Sequence, residues 1–320
     1  MTELKETMIQ TQAQNALIET PTWVAECVDL PSAHWEDSSD GITVRRIESP
    51  SHALVSMVVH DARHMSGTEF IRCVDSVYES LHHYLGEGSS QCPIRMWNHI
   101  PGILDPVGNG MNRYHLLNQA RHEVYCRWYG TPDVFKQHVV TDTCTGHGGN
   151  DFIYHCLAAP SSGIGIENPR QDSSYLYSKR YGPKPPCFAR ATLLPVDAAG
   201  QQQVLVGGTA SVRGEDSLFS GDLAGQLNET LSNMVSILGA SARHGSTTAT
   251  PTLNWYSDIR VYYKHEVDRC QIESAVVENF SPDVSVEWVH APICRDELLV
   301  EIEGRALVSD CVGDSTRGIL

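Results

Sequence analysis

One order of periodicities runs through this chain twice: a β-rich run, a helix, a second β-rich run, a second helix and a closing strand. In the second half, residues 204–211 are β-rich, and residues 222–238 place Leu223, Leu227, Leu231, Met234 and Leu238 on one helical face. A strand over 255–263, a helix over 266–279 and strands over 284–290 and 298–307 follow. The first half offers a similar series. Residues 53–60 read as a strand, and residues 68–85 as a helix with Phe70, Val74, Val77, Leu81 and Leu85 inward and Gly86 placed to end it. A strand over 93–100, a helix over 111–127 and a strand over 151–157 complete it. Each unit makes a sheet with its helices on one face, so the predicted class is α+β. Residues 1–20 read as a flexible lead-in, 21–160 as the first unit and 161–320 as the second, with a frayed tail from Gly313.

Length and charge bound the function. A chain of 320 residues buries a sizeable core and is no peptide-sized binding module. Its formal charge of −16, without any basic run, argues against nucleic acid as a partner. A small dianion is a different case, because a few converging arginines outweigh distant charge at short range. Met1 to Thr20 lacks a basic n-region and an apolar h-region, and no apolar run approaches the roughly 20 residues that span a bilayer, so a cytoplasmic protein is expected. The ten cysteines are scattered without a CxxC pair, which favours free thiols over disulfides.

The densest chemistry lies between residues 167 and 215, where Asn168-Pro169-Arg170-Gln171, Tyr181-Gly182-Pro183, Phe188-Ala189-Arg190-Ala191 and Gly207-Gly208-Thr209-Ala210-Ser211 follow one another. Prolines, glycines, arginines and tyrosines in this mixture suit a binding site for a planar carboxylate. Near the end, strand alternation over Leu298 to Ala306 puts Leu299, Glu301 and Glu303 on one face and Val300 and Ile302 on the other. Two carboxylates on one face point into water or into a cleft. A cleft raises at least one pKa by desolvation and mutual repulsion and makes a general acid for neutral pH. Cys294, seven residues earlier, reads by itself as a buried thiol.

These motifs in this order resemble the chorismatase family, enzymes that hydrolyse the enolpyruvyl ether of chorismate and release pyruvate. The closing segment from Leu298 to Ala306, with its Val300-Glu301-Ile302-Glu303 motif, is also similar to the closing strand of the RidA/YjgF family, so two RidA-like units in a pseudo-symmetric monomer are implied. The resemblance implies Glu301 as the acid that protonates the enol ether, with Glu303 the fallback. Cys294 together with Gly207 implies the branch forming 3-hydroxybenzoate: a small residue at 207 leaves room for the ring, and a thiolate at 294 assists loss of the ring hydroxyl. Branches giving the dihydroxycyclohexadiene carboxylate or mixed 3- and 4-hydroxybenzoate stay open, as does an RidA-like enamine hydrolase. Substrate contacts are implied for Arg113, Tyr114, Arg121, Arg170, Tyr175, Tyr181 and Arg190, and pocket shaping for Gly208, Thr209, Ser211 and Glu215. Thr209 and Ser211 equally fit simple strand alternation. Ether hydrolysis needs no cofactor. No metal is expected either: His60 and His64 have helical ligand spacing but sit after a strand without a third ligand. The glycine-rich run from Thr145 to Gly149 lacks the spacing of a phosphate loop and reads as an irregular turn.

Overall fold

The computed structural model describes residues 20–28, 36–37, 41–85, 91–198, 200–244 and 249–308. Most of the lead-in, Gly86, Cys311 and the tail lie outside the described residues. The first unit runs β1 (Glu36–Asp37), β2 (Ile42–Glu48), β3 (Ala53–Val59), α1 (Gly67–Leu85), β4 (Cys92–Pro101), α2 (Arg113–Tyr129), β5 (Thr141–His147) and β6 (Phe152–Ala159). The second runs β7 (Ile164–Ile166), β8 (Ala191–Leu193), β9 (Gln202–Ala210), α3 (Leu223–His244), β10 (Tyr256–Tyr263), α4 (Arg269–Asn279), β11 (Ser285–His290) and β12 (Val300–Val308). Two six-stranded sheets result, ordered β1-β2-β3-β6-β4-β5 and β7-β8-β9-β12-β10-β11. The two orders coincide strand for strand, and so do the pairing senses. Among the described strand pairs of the two sheets, only β4 with β5 and β10 with β11 are parallel. Parallel neighbours need a crossover, which α2 and α4 supply. The α+β class and the doubled series are thus present in the connectivity.

Three strands of the first unit, β1, β2 and β5, were not legible in the sequence. In β2 the apolar alternation is broken by Arg45-Arg46. β5 reads Thr-Asp-Thr-Cys-Thr-Gly-His, and its last three residues belong to the run expected to be a turn. All seven residues of β5 are buried, yet the strand shows no apolar face because threonines and an aspartate fill it. The boundary of α2 also moves, to Arg113, since Asn112 caps it. The Asn112 Oδ1 accepts from the His115 N–H at 3.0 Å, and His115 Nδ1 accepts from the Asn112 N–H at 3.3 Å.

The helices cover the outer sheet faces. Phe70, Val74, Val77 and Leu81 of α1 join Val55, Met57 and Phe152, while Leu227, Leu231, Met234 and Leu238 of α3 join Val204, Val206 and Ile302. Each of these fully buried side chains contributes about 1.5–3 kcal/mol. Away from the helices the two sheets meet. Trp97, Ile94, Leu54 and Leu157 pack with Leu205 of the second unit, and Trp23 lies 6.1 Å from Trp97 between ring centroids. Among the described residues no helix is long and apolar enough to cross a membrane.

Candidate active site

The site is built around a defect in the pairing of β9 with β12. Val206 pairs with Gly304 and Thr209 with Ile302, so Gly207 and Gly208 together stand opposite Glu303 as a bulge. The bulge releases two N–H groups from the ladder. Gly207 N–H donates to Arg190 O at 2.9 Å and Gly208 N–H to Thr143 Oγ1 of the first unit at 2.9 Å. A side chain at either glycine would force a neighbour to move. A Cβ on Gly207 would lie 2.9 Å from Asp142 O and 3.3 Å from Arg190 O, whereas one on Gly208 would lie 1.9 Å from Glu301 Oε1. Gly207 therefore serves the close approach of two backbones, and the space expected beside it for a moving ring is filled. Gly207→Ala should cost about 1–3 kcal/mol of stability, because main-chain carbonyls cannot rotate aside. Chemical denaturation measures this, and an unchanged midpoint would show slack between the units.

Glu301 is 4 % exposed and lines a cavity of about 50 Å³ with Gly208, Tyr114, Arg190, Cys294 and Arg295. Burial raises its carboxyl pKa to about 8, the neighbouring Glu303 adds to the rise, and Arg95 opposes it. The group is therefore mostly protonated at neutral pH. Glu303, the fallback acid, is instead saturated with donors: Arg95 Nη2 at 2.5 Å, Trp97 Nε1 at 3.0 Å, Tyr262 OH at 3.1 Å, and Thr143 Oγ1. Burial pushes the Cys294 thiol up to about 12, with the Glu301 charge adding to it. Burial therefore disfavours the thiolate expected at 294 and favours the neutral thiol.

The expected arginines part company. Arg190 is buried against the cavity, where its Nη2 donates to Asp172 O at 2.8 Å and Tyr177 OH at 2.6 Å. Arg121 is consumed by Asp142 and Asn118 behind the cavity wall. Arg113 donates to the carbonyls of Arg63 and Met65. Arg170 pairs with Glu229 of α3 at 2.7 Å and with Asn233 at 2.8 Å, which fastens the motif stretch to that helix. Thr209 donates to Gly207 O and Ser211 to Leu218 O, so neither hydroxyl faces a substrate water. Glu215 accepts from Ser178 N–H and Oγ, both at 2.7 Å, bonds that hold its carboxyl below the ordinary range. Tyr175 packs at the rim of the first core, outside the cavity lining.

Arg295 was not singled out from the sequence. It lines both the cavity and an adjoining cleft of about 660 Å³ that also contains Tyr181 and His115. Its guanidinium sits 3.9 Å over the Tyr181 ring and donates to Glu215 O at 2.8 Å. Among the described residues neither Arg190 nor Arg295 has a carboxylate within ion-pair distance. The nine described cysteines are free thiols, and no group of three or more His, Cys, Asp or Glu among the described residues is arranged to hold a metal ion.

A protonated carboxyl beside guanidiniums with no carboxylate in ion-pair contact suits acid chemistry on a small anion, in a cavity that both α+β units wall. No family model matches the chain. It is similar to a 3-hydroxybenzoate synthase of Streptomyces hygroscopicus, at 37% identity over 234 residues that cover 72% of this chain and 67% of that protein. It is also similar to a chorismatase of Streptomyces rapamycinicus, at 29% over 273 residues covering 83% and 77%. A crystal structure of a chorismatase superposes with a TM-score of 0.70 at 25% identity, covering 85% of this chain and 79% of that one. The chain belongs to the chorismatase family.

Proposed function

We propose that this protein converts chorismate to pyruvate and 3-hydroxybenzoate, with Glu301 as general acid. The observation that carries the reading is the protonated Glu301 carboxyl packed on Gly208 in a cavity walled by Arg190 and Arg295. The 37% identity to a 3-hydroxybenzoate synthase supports the product. Protonating the terminal methylene carbon of the enolpyruvyl group makes an oxocarbenium ion, which one water captures; the resulting hemiketal breaks its bond to the ring oxygen, releasing pyruvate and the ring diol. Loss of one ring hydroxyl as water then gives the aromatic ring, so the overall conversion is atom-balanced without net water. Arg190 and Arg295 anchor the two substrate carboxylates. Proton loss leaves Glu301 charged near Glu303, and the repulsion favours reprotonation for the next turnover. The Cys294 thiol borders the cavity as an S–H donor for the departing hydroxyl. Both units wall the site within one chain, which suits a monomer.

Incubation with chorismate, following pyruvate by a coupled assay and the ring product by chromatography against hydroxybenzoate standards, tests the reading. Pyruvate with 3-hydroxybenzoate is expected. Pyruvate with a non-aromatic diol would overturn the product assignment, and no pyruvate would overturn the activity.

A further inference from the structure

The most heavily bonded carboxylate near the site is not the proposed proton donor but its neighbour on the same strand. Glu303 is 2 % exposed and projects from β12 into the layer between the sheets, where Arg95 and Trp97 of β4 and Thr143 of β5 meet it from the other unit. Tyr262 of β10 adds a donor from its own sheet. Thr143 has a second duty, because its Oγ1 accepts the Gly208 N–H at 2.9 Å and Glu301 Oε1 packs directly on Gly208. One hydroxyl therefore joins the two glutamates: Glu303 to Thr143, Thr143 to Gly208, Gly208 to Glu301.

We propose that Glu303 is a positioning residue, whose charge, fixed by donors of the first unit, keeps Glu301 in its proton-donating form while Thr143 holds the backbone on which Glu301 rests. The inference rests on Glu301 being the acid of the proposed reaction. The other groups that face Glu301 are Arg95 from β4, Asp142 and Cys144 from β5, Tyr114 from α2, Tyr177 and Arg190 ahead of β8, and Cys294 and Arg295 ahead of β12. Asp142 is already balanced by Arg121, and both cavity thiols are neutral, since burial raises Cys144 as it does Cys294. Glu303 is thus the negative charge that sets the balance against Arg95 and Arg190.

The test titrates the Glu301 carboxyl in the full chain by 13C NMR, with its signal assigned by loss in Glu301→Gln, and runs the pH profile of pyruvate release beside it. Glu303→Gln removes the charge and leaves Arg95 uncompensated, so the Glu301 midpoint should fall by about one pH unit or more. The alkaline limb of the profile should move with it, with the rate regained at lower pH. Arg95→Met leaves Trp97, Tyr262 and Thr143 to satisfy Glu303 and should move the midpoint upward; this variant decides the matter if Glu303→Gln does not fold. Thr143→Val should lower the rate at every pH without moving the limb. A midpoint unmoved in both charge variants would overturn the inference. If chorismate yields no pyruvate, the functional reading fails while the NMR titration still decides this one.

Discussion

Glu301→Gln is expected to reduce pyruvate release from chorismate at least 1,000-fold, on the order of 4 kcal/mol of lost transition-state stabilisation, and to make the folded protein more stable at pH 8. The first effect follows from removing the proton donor while retaining the shape. The second follows from the direction of the Glu301 shift, from an ordinary 4.5 to about 8. Between those values the unfolded chain has released a proton that the folded chain keeps. Stability is therefore greatest at the acid side and declines as pH rises, at about 1.4 kcal/mol per pH unit for one group, until the folded carboxyl also ionises. Glutamine carries no such proton, so the decline disappears and the melting temperature at pH 8 should rise by several degrees. Activity and melting curves on the same two proteins measure both. A variant that keeps its activity would remove Glu301 from the mechanism, and one that loses activity by unfolding would show that the neutral carboxyl is needed for packing.

Gly208→Ala should be nearly as damaging by a different route. The added methyl would sit 1.9 Å from Glu301 Oε1, 2.8 Å from its Cδ and 3.2 Å from Thr143 Cγ2. Between two adjoining strands the backbone has little freedom, so the movable partner is the Glu301 side chain, which swings from its place over the cavity. A displacement of about 1 Å at a reacting group costs on the order of 100-fold in rate. The expected signature is a fall in kcat with the chain still folded. Full activity in this variant would mean that Glu301 is not held by the bulge, and the link through Thr143 would lose its role.

The contrast between what was legible and what was not follows from the range of each interaction. Strand alternation alone places Glu301 and Glu303 on one face of β12, because the period of two is a local property. The residues on α1 and α3 that build the outer cores follow from helical period in the same way. The arginines could not be sorted, since each is decided by a distant partner: Arg170 is taken by Glu229 on α3, Arg121 by Asp142 on β5, and Arg190 is left beside the cavity. Arg295 sits in the same tetrapeptide as Cys294 and carries no local mark of the Tyr181 ring that it covers. The role of Gly207 and Gly208 needed the register of β9 against β12, which appears only once both strands are paired. β5 stayed hidden for a related reason, because the partners that allow threonine and aspartate into the interior lie on other elements: Thr192, Glu303 and Arg121.

The placement of β12 has a consequence for the chain as it is made. It is the last of the described strands in sequence, yet it lies in the middle of its sheet, between β9 and β10. A nascent chain that has reached only β11 has a gap there, and neither glutamate is present. Once β12 has been added, Glu301 still behaves as an ordinary carboxylate until the finished second sheet docks on the first and excludes water from it. On the proposed mechanism the proton donor is thus complete only once β12 is paired and the two sheets have met, and a chain that stops short of β12 is expected to be chemically silent.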